Sequence, residues 1–172
     1  AATALLAEAG QSSLALTFTC LNDAISQAVA QIVQANLAEI GVNLTINAMD
    51  PGAYWAMGSG DASKDLELTL IPYSSKFDPS FQTQWFVGAQ VGVWNWQRWK
   101  NDEFDTLHKE AAATVDTAVR QEKYVRMQQL LDESASCIWI THGARLFGYA
   151  KTLKPAILPN GSNWQLSYFA PA

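Results

Sequence analysis

The stretch LALTFTCLNDAISQAVAQIVQANLAEIGVNLTINA, residues 14–48, decides the fold. Apolar side chains occupy alternate positions over residues 14–20 and again over 42–48, and a period of two is typical of strands. Between them, Asp23 stands where an N-cap belongs, and the helix that it starts runs to Ile40, just before a glycine. A strand, a helix and a strand in close succession form a βαβ unit, so we expect parallel strands joined by a right-handed crossover. The chain is therefore predicted to be an α/β protein.

Local patterns predict further helices and strands on both sides of this unit. The apolar stripe of the helix after Asp23 consists of Ile25, Ala28, Val29, Ile32, Val33, Leu37 and Ile40. The other predicted helices are one closed by Gly10, a short one within residues 50–60, one that starts at Asn101 or Asp102, and one that Asp116 caps and that ends near Ser134. The other predicted strands are residues 65–73, 137–141, 145–151 and 164–169. The chain begins inside a helix pattern and without the basic segment of a signal peptide, so we expect a processed chain or a piece of a larger protein.

Composition and charge exclude several classes of protein. Of the 172 residues, 49% are hydrophobic and 16% are charged, which suits one globular domain with a core of its own. The 11 basic and 16 acidic residues give a net charge of −5, which argues against nucleic acid or an anionic membrane surface as a partner. No apolar run is long enough to cross a bilayer. Cys20 and Cys137 lie in apolar segments, which favours two buried thiols over a disulfide, although sequence spacing does not set their distance.

The sequence lacks the motifs of the common enzyme classes. GxSxG, HExxH and Walker patterns are absent, and neither cysteine belongs to a CxxC pair or lies beside a histidine. Asp102, Glu103 and Asp105 cluster at a predicted helix start, where acids stabilise the helix dipole. We therefore predict no catalytic residue, no metal and no cofactor.

Residues 74–100 show no period but contain many large aromatic residues, so we expect an ordered loop with a function. A binding cleft combines flat apolar surfaces with a few fixed polar groups. The candidate ligand-binding residues are Tyr73, Phe77, Trp94 and Trp96 for stacking, Asp78 for an ammonium group, Asn95 and Arg98 for hydrogen bonds, and His142 at a predicted turn. Core packing explains any single aromatic residue equally well. In an extended segment Trp94 and Trp96 would share one face and Asn95 the other, unless the chain turns there.

The order of these pieces resembles that of the extracellular solute-binding proteins of family 5, the peptide/nickel-type binding proteins of ABC importers. The likeness is carried by short motifs spread over residues 3–150. They are ALLAEAG before the first strand, LAEIGV at residues 37–42, Asp50 to Trp55, the approach to a strand at residues 60–65, Asp78-Pro79, then Asn95, Asn101, Glu103, Asp105 and Leu107, and finally Asp116, Arg120, Tyr124, Met127, Gln128 and Leu131. The family's usual proline is missing from the segment at residues 137–140.

The resemblance implies a fold, partners and a location. Members of this family are two-lobed type II periplasmic binding proteins that close on a solute like a clam shell, and residues 1–172 match a single C-terminal α/β lobe with a mixed, mainly parallel sheet. The N-terminal lobe would then be missing. Membrane permease subunits are implied as partners, and a periplasmic or extracellular location is implied, with or without a lipid anchor on the missing N-terminus. In peptide-binding members the acid of the DP loop, here Asp78, often meets the peptide's amino terminus, although residues 74–76 depart from the Trp-bearing pattern of those members.

Several functions compete at this point. The main prediction is the substrate-binding component of an ABC importer, without catalysis, with an oligopeptide, an opine-like compound or an oligosaccharide as its ligand. Stacked tryptophans favour sugar faces, whereas a paired Asp78 and Arg98 would favour a zwitterion. A nickel chelate as the ligand is suggested only by the resemblance to the family, and a single histidine, His142, does not support it. The alternative is a stand-alone carbohydrate-binding module with a Trp platform, which the βαβ unit argues against, and an enzyme fragment is the least favoured.

Overall fold

A computed structural model describes residues 1–11, 13–74, 78–141, 147–157 and 164–172. The chain divides into two compact units. The first unit comprises Ala1–Tyr73 and Phe86–Asp102, and the second comprises Ser74–Trp85 and Glu103–Ala172. The prediction of one lobe over residues 1–172 stays a prediction, and the two units are described separately.

The first unit contains the predicted βαβ arrangement. Strand β1 (Ala15–Leu21) pairs in parallel with β2 (Asn43–Met49) along its whole length and with β3 (Leu68–Thr69) on its other side. The sheet order is therefore β2-β1-β3, with β1 in the centre. Phe18 and Cys20 on one face of β1 and Thr19 on the other are all buried, as expected for a central strand that is covered on both faces. The prediction of two parallel strands is confirmed.

Strand β3 is much shorter than the predicted strand over residues 65–73. The Glu67 carboxylate accepts the backbone N–H of Thr17 at 2.6 Å, so a side chain replaces the strand partner just before β3 begins. Beyond β3, Leu70 N donates to Thr19 O at 3.3 Å, and Pro72 then has no N–H to continue a ladder. Pairing is consequently confined to two residues of β3, and the predicted length was wrong.

The helices of the first unit are α1 (Ala2–Glu8), α2 (Ala24–Ala38) and α3 (Pro51–Ala56), and a 3-10 turn covers Ala62–Asp65. Gly10, with φ of +70°, ends α1 as predicted. The predicted cap of α2 is also confirmed, because the Asp23 carboxylate accepts the N–H groups of Ile25 and Ser26, both at 3.0 Å. Hydrogen bonding to that carboxylate, chiefly from Ser26, holds the pKa of Asp23 below its ordinary value.

The buried face of helix α2 overlaps only in part with the predicted apolar stripe, because Val33 and Leu37 pack against the core but Ile25 and Ile32 do not. Ile25 and Ile32 are 78% and 62% exposed, whereas Ala30 is fully buried, with Val33 and Leu37 packed against the same core. The helix has apolar or small residues on every side and no charged residue from end to end, so hydropathy alone could not select its inner face. The small side chain of Ala30 lies where the helix meets the sheet.

The second unit contains α4 (Ser80–Thr83), nearly all of α5 (Asp102–Ala113), α6 (Thr117–Ser134) and the antiparallel pair of β4 (Leu153–Lys154) and β5 (Ala170–Pro171). The predicted positions of α5 and α6 are confirmed. The Asp116 carboxylate caps α6 by accepting the Val119 N–H at 3.0 Å. The apolar interior of this unit consists of Phe104, Ala111, Tyr124, Met127, Leu130 and Leu131.

The strands predicted for the last part of the chain do not form within its described residues. Residues 137–141 and 147–151 contain no strand, and residues 164–169 contain a single bridge from Trp164 to Ile157 and a 3-10 turn at Leu166–Tyr168. A strand forms only where its backbone pairs with that of another strand, and residues 137–141 are not paired in this way. Ile138, Trp139 and Ile140 are exposed despite their apolar sequence.

Two remaining sequence expectations concern the cysteines and the membrane. Cys20 is a buried thiol, and Cys137 is a partly buried thiol whose pKa burial raises. Among the described residues, no helix combines the length and the apolar character needed to span a bilayer.

The inner face of α2 is tested by two substitutions. We expect Ala30→Leu to lower the free energy of unfolding by about 1–3 kcal/mol, because the added methylene groups overpack the contact with the sheet. We expect Ile32→Gln to change it by less than about 0.5 kcal/mol, since Ile32 is exposed. Urea titration of the purified variants, followed by far-UV circular dichroism, measures both values. A larger loss of unfolding free energy for Ile32→Gln than for Ala30→Leu would contradict the burial of Ala30 and the exposure of Ile32.

Candidate binding site

The carboxyl edge of the parallel sheet in the first unit is where a ligand site is expected. In open α/β sheets, ligands bind outside the carboxyl ends of the strands. Helix α3 follows β2 at this edge, and residues 70–73 leave β3 there. The Tyr73 hydroxyl donates to the backbone carbonyl of Trp94 at 2.9 Å, which brings the loop at residues 86–99 to the same edge.

Four aromatic rings meet at this edge and form what we call the aromatic cluster: Tyr54, Trp55, Trp94 and Trp96. Tyr54 lies 5.1 Å from both Trp55 and Trp96, between ring centroids, and Trp55 lies 5.7 Å from Trp96 and 6.2 Å from Trp94. Tyr54 and Trp96 are buried, whereas Trp55 and Trp94 are 37% and 39% exposed. The buried rings thus form the base of the cluster, and the two half-exposed indoles form its outer surface.

Tyr54 fixes the base of the cluster to the sheet. Its hydroxyl donates to the carbonyl of Leu70 at 2.5 Å and lies 3.2 Å from the hydroxyl of Thr69. Burial raises the pKa of Tyr54, so the phenol stays protonated and remains a donor at neutral pH. Helix α3, which carries Tyr54 and Trp55, is therefore held to the end of β3.

Trp96 lies directly against Gly58, at the end of the α3 segment. A Cβ atom at Gly58 would lie 2.0 Å from Nε1 and 2.2 Å from Cε2 of the Trp96 indole. No real side chain tolerates such a distance, and a buried indole has little room to move away. Glycine at position 58 is therefore required for the Trp96 ring to occupy its place.

Asn95 organises the loop from within. Its side chain is completely buried, and Nδ2 donates to the backbone carbonyls of Phe86, Val87 and Trp99 at 3.1, 3.2 and 2.7 Å. The Asn95 Oδ1 atom is buried and has no hydrogen-bond partner among the described residues. A side chain with these contacts holds loop backbone together. Its predicted role as a ligand contact stays a prediction, and the geometry gives it a structural role.

Arg98 connects the loop to the segment after α3. Its Nη1 atom donates to the Gly60 carbonyl at 2.9 Å and to the Ser63 hydroxyl at 3.1 Å, and Nη2 lies 3.5 Å from an Asp61 carboxylate oxygen. A backbone bond of 2.7 Å from Gly60 N to Gly92 O joins the same two segments. Arg98 itself has a φ of +55°, in the left-handed region that non-glycine residues rarely adopt. The predicted ligand-binding role of Arg98 would therefore need a group already engaged in these bonds.

Asp78 belongs to the second unit and is engaged there. Its Oδ2 lies 2.5 Å from Arg120 Nη2, and its Oδ1 accepts the Ser80 N–H at 2.9 Å. The bond from Arg120 is the largest cause, and those from Ser80 the next, of a pKa of about 2 for Asp78. Arg120 also donates to the Ala111 carbonyl at 2.9 Å and to the Tyr124 hydroxyl at 3.2 Å. The predicted pairing of Asp78 with a ligand ammonium group stays a prediction.

Two predicted site residues, Phe77 and His142, lie outside the described residues. Within the described residues, no group of three or more His, Cys, Asp or Glu side chains is placed to hold a metal ion. Of the predicted residues, Tyr73, Trp94, Asn95, Trp96 and Arg98 come together in the first unit. Sequence reasoning missed Trp55 and its buried neighbour Tyr54. The signal was available, because the short helix that carries them follows a parallel strand at its carboxyl end.

The contact between Gly58 and Trp96 gives a testable prediction. We expect Gly58→Ala to lower the free energy of unfolding by about 1–3 kcal/mol, because the new Cβ overlaps the Trp96 indole. Gly52→Ala is the matched control, since nothing lies within 4 Å of its Cβ position and alanine favours helix α3 by about 1 kcal/mol. Urea titration followed by tryptophan fluorescence measures both. Equal stability of the two variants would contradict the close approach.

The ion pair of Asp78 with Arg120 predicts a pH dependence. Because the folded-state pKa of Asp78 is lowered from 3.8 to about 2, the stability that it supplies is present above pH 4 and is lost as the pH falls through about 2. We expect Asp78→Asn to be less stable than the unsubstituted chain at pH 7, by about 1 kcal/mol or less because the pair is partly exposed.

Urea midpoints at pH 7, 4 and 2.5 measure this difference, which should shrink toward the lowest pH. Glu110→Gln, which removes a carboxylate from the exposed pair with Lys123, is the control for a change of net charge. A constant difference between Asp78→Asn and the unsubstituted chain at all three pH values would contradict the predicted titration.

The fold is that of the type II periplasmic binding proteins. The structure of a dipeptide binding protein from Pseudoalteromonas sp. SM9913, in complex with Met-Leu, superposes with a TM-score of 0.82 at 22% identity and covers 99% of this chain and 35% of that one. CtaP, an ABC transporter substrate-binding protein from Listeria monocytogenes, gives a TM-score of 0.70 at 28% identity, over 78% of this chain and 28% of that one. The predicted type II fold is thereby confirmed.

Sequence comparison identifies relatives within this class. The peptide transport periplasmic protein SapA of Salmonella typhimurium is 26% identical over 130 residues, and SapA of Escherichia coli, a probable ABC transporter periplasmic-binding protein, is 25% identical over 130 residues. Each alignment covers 75% of this chain, and the chain spans about a quarter of the length of these relatives. No protein-family model matches the chain. The chain is a relative of the periplasmic binding proteins of ABC transporters, and the resemblance to family 5 is confirmed.

Proposed function

We propose that the chain is the C-terminal, ligand-binding lobe of the substrate-binding component of an ABC importer, and that its solute is a short peptide. The observation that carries the proposal is the half-exposed aromatic surface of Trp55 and Trp94 at the carboxyl edge of a parallel sheet, in a relative of periplasmic peptide-transport proteins. Flat, rigid apolar surface at this position is what a solute site requires.

A peptide explains the chemistry of the site better than the other predicted solutes do. A peptide is itself a zwitterion, and its charged ends would need partners other than Asp78 and Arg98, because Arg120 already pairs with Asp78 and Asp61 with Arg98. A nickel chelate, the ligand in the related structure of NikZ from Campylobacter jejuni with Ni(L-His), is not favoured by the described residues, which hold no cluster of metal ligands. Peptides occupy two of the related structures, as STSA in DppA of Helicobacter pylori and as Met-Leu in the Pseudoalteromonas protein.

The remaining parts of the proposal concern the whole protein. The lobe would close with a second, N-terminal lobe over the solute and present it to the permease subunits in the periplasm, without catalysing a reaction. The periplasmic relatives support the location, and a lipid anchor on a preceding segment stays a prediction. An oligosaccharide ligand also stays a prediction. No observation favours a stand-alone carbohydrate-binding module, and the parallel α/β sheet differs from the all-β sandwich expected of one.

Calorimetry with two forms of the protein tests this proposal. We expect the full-length gene product to bind members of a panel of di- to pentapeptides with micromolar or tighter affinity, and residues 1–172 alone to bind them at least about tenfold more weakly, because half of the cleft would be absent. A panel of oligosaccharides serves as the comparison.

Two results would contradict separate parts of the proposal. Micromolar peptide binding by residues 1–172 alone would remove the need for a second lobe. Binding of oligosaccharides by the full-length protein, with no response to any peptide, would overturn the proposed solute class.

A further inference from the structure

We propose that Trp55 and Trp94 form a subsite for one large apolar side chain of the bound peptide, and that Trp55 determines this specificity. The inference rests on the proposed function and goes beyond it, because it names the part of the peptide that the first unit recognises. Trp55 ends a family motif at residues 50–55, but it was not among the candidate ligand-binding residues named from the sequence.

The two indoles form a corner rather than a stack. Their ring centroids lie 6.2 Å apart and their planes are inclined by 64°, so they cannot lie face to face against each other. Each ring is more than a third exposed, whereas Tyr54 and Trp96 beneath them are 0% and 2% exposed. Tyr54 and Trp96 thus belong to the buried interior, whereas Trp55 and Trp94 present two partly exposed apolar surfaces that are inclined to each other. An apolar side chain placed between such surfaces contacts both of them.

The corner is held in place on both sides before any ligand arrives. On one side, Trp55 follows Tyr54 in α3, and the Tyr54 hydroxyl fixes that helix to Leu70. On the other side, the Tyr73 hydroxyl holds the carbonyl of Trp94, and the next ring of the loop, Trp96, is packed on Gly58. A surface that is already ordered loses little conformational freedom on binding, which favours affinity and selectivity.

The chemistry of the corner predicts which side chains it accepts. The four rings of the aromatic cluster carry no formal charge, and burial keeps the Tyr54 phenol neutral. An apolar side chain gains affinity for each methylene that it buries, by about fourfold per group. A carboxylate would lose its hydration at the same place without a counter-charge from the rings. The corner should therefore rank side chains in the order phenylalanine and leucine, then valine, then alanine, with aspartate last.

A peptide series tests this ranking on the full-length protein. The series varies one position of a dipeptide, Xaa-Leu or Leu-Xaa, through alanine, valine, leucine, phenylalanine and aspartate, and calorimetry measures Kd for each peptide. For the unsubstituted protein we expect the leucine and alanine peptides to differ by at least about tenfold at one of the two positions. For Trp55→Ala we expect this ratio to fall below about threefold, and for Trp55→Phe we expect an intermediate ratio.

The control is Tyr168→Ala, which removes an exposed aromatic ring from the second unit and should leave the ratio unchanged. Thermal melting of each variant reports whether it is folded. An unchanged leucine-to-alanine ratio in folded Trp55→Ala, or a loss of affinity that is equal for every peptide, would overturn the subsite and leave the proposed peptide-binding function standing. Failure of the unsubstituted protein to bind any peptide would overturn both.

Discussion

The hydrogen bond from the Tyr54 hydroxyl to the Leu70 carbonyl joins the parts of the first unit that sequence separates. Leu70 stands just past the two residues that β3 pairs with β1, where the sheet ladder ends and its partly buried carbonyl would otherwise need another partner. Leaving such an acceptor without a donor costs about 1–3 kcal/mol. Because Tyr54 belongs to the helix that follows β2, this one bond fixes the position of α3 relative to the far strand. The position of Trp55, and the angle of the corner that it forms with Trp94, follow from it.

The loop at residues 86–99 contains no α-helix or strand, and its regular structure is limited to short 3-10 turns, one of them at Gly88–Gln90. Its backbone groups find partners in side chains and in other loop segments: three carbonyls bind the Asn95 amide, and Gly92 O accepts the Gly60 N–H. Three successive N–H groups, those of Val93, Trp94 and Asn95, all donate to the carbonyl of Gln90. The chain therefore turns within the VWNW segment. This turn buries Asn95 together with Trp96 and leaves Trp94 outside, a combination that an extended segment with alternating faces could not produce.

The features that the sequence predicted correctly are those fixed by interactions between residues close together in the chain. Asp23, Asp116 and Gly10 act within one turn of the helices that they begin or end, so their roles could be read from neighbouring residues. The strands β1 and β2 were also predictable, because the helix between them restricts how they pair. The segment at residues 137–140 has equally strong strand character, but pairing depends on a backbone far away in the sequence, and no local pattern shows whether that backbone is present. For the same reason the burial of Asn95 was not foreseen, since its partners are carbonyls that only the folded loop brings together.

The motifs that carry the resemblance to the solute-binding family are largely explained by structure. Asp116 caps α6, and Arg120, one turn further on, donates to Asp78, to Tyr124 and to the last turn of α5. A planar guanidinium with several fixed donors suits such a junction, because it satisfies a carboxylate and a helix carbonyl at once. Asp78 thereby holds the start of α4, and its charge is compensated within its own unit. The residues that carry the family resemblance are thus mainly residues with structural roles. We therefore look for the choice of solute among the half-exposed rings of Trp55 and Trp94. Trp55 ends one of the family motifs, at residues 50–55, and it is the ring that was not named as a ligand contact from the sequence.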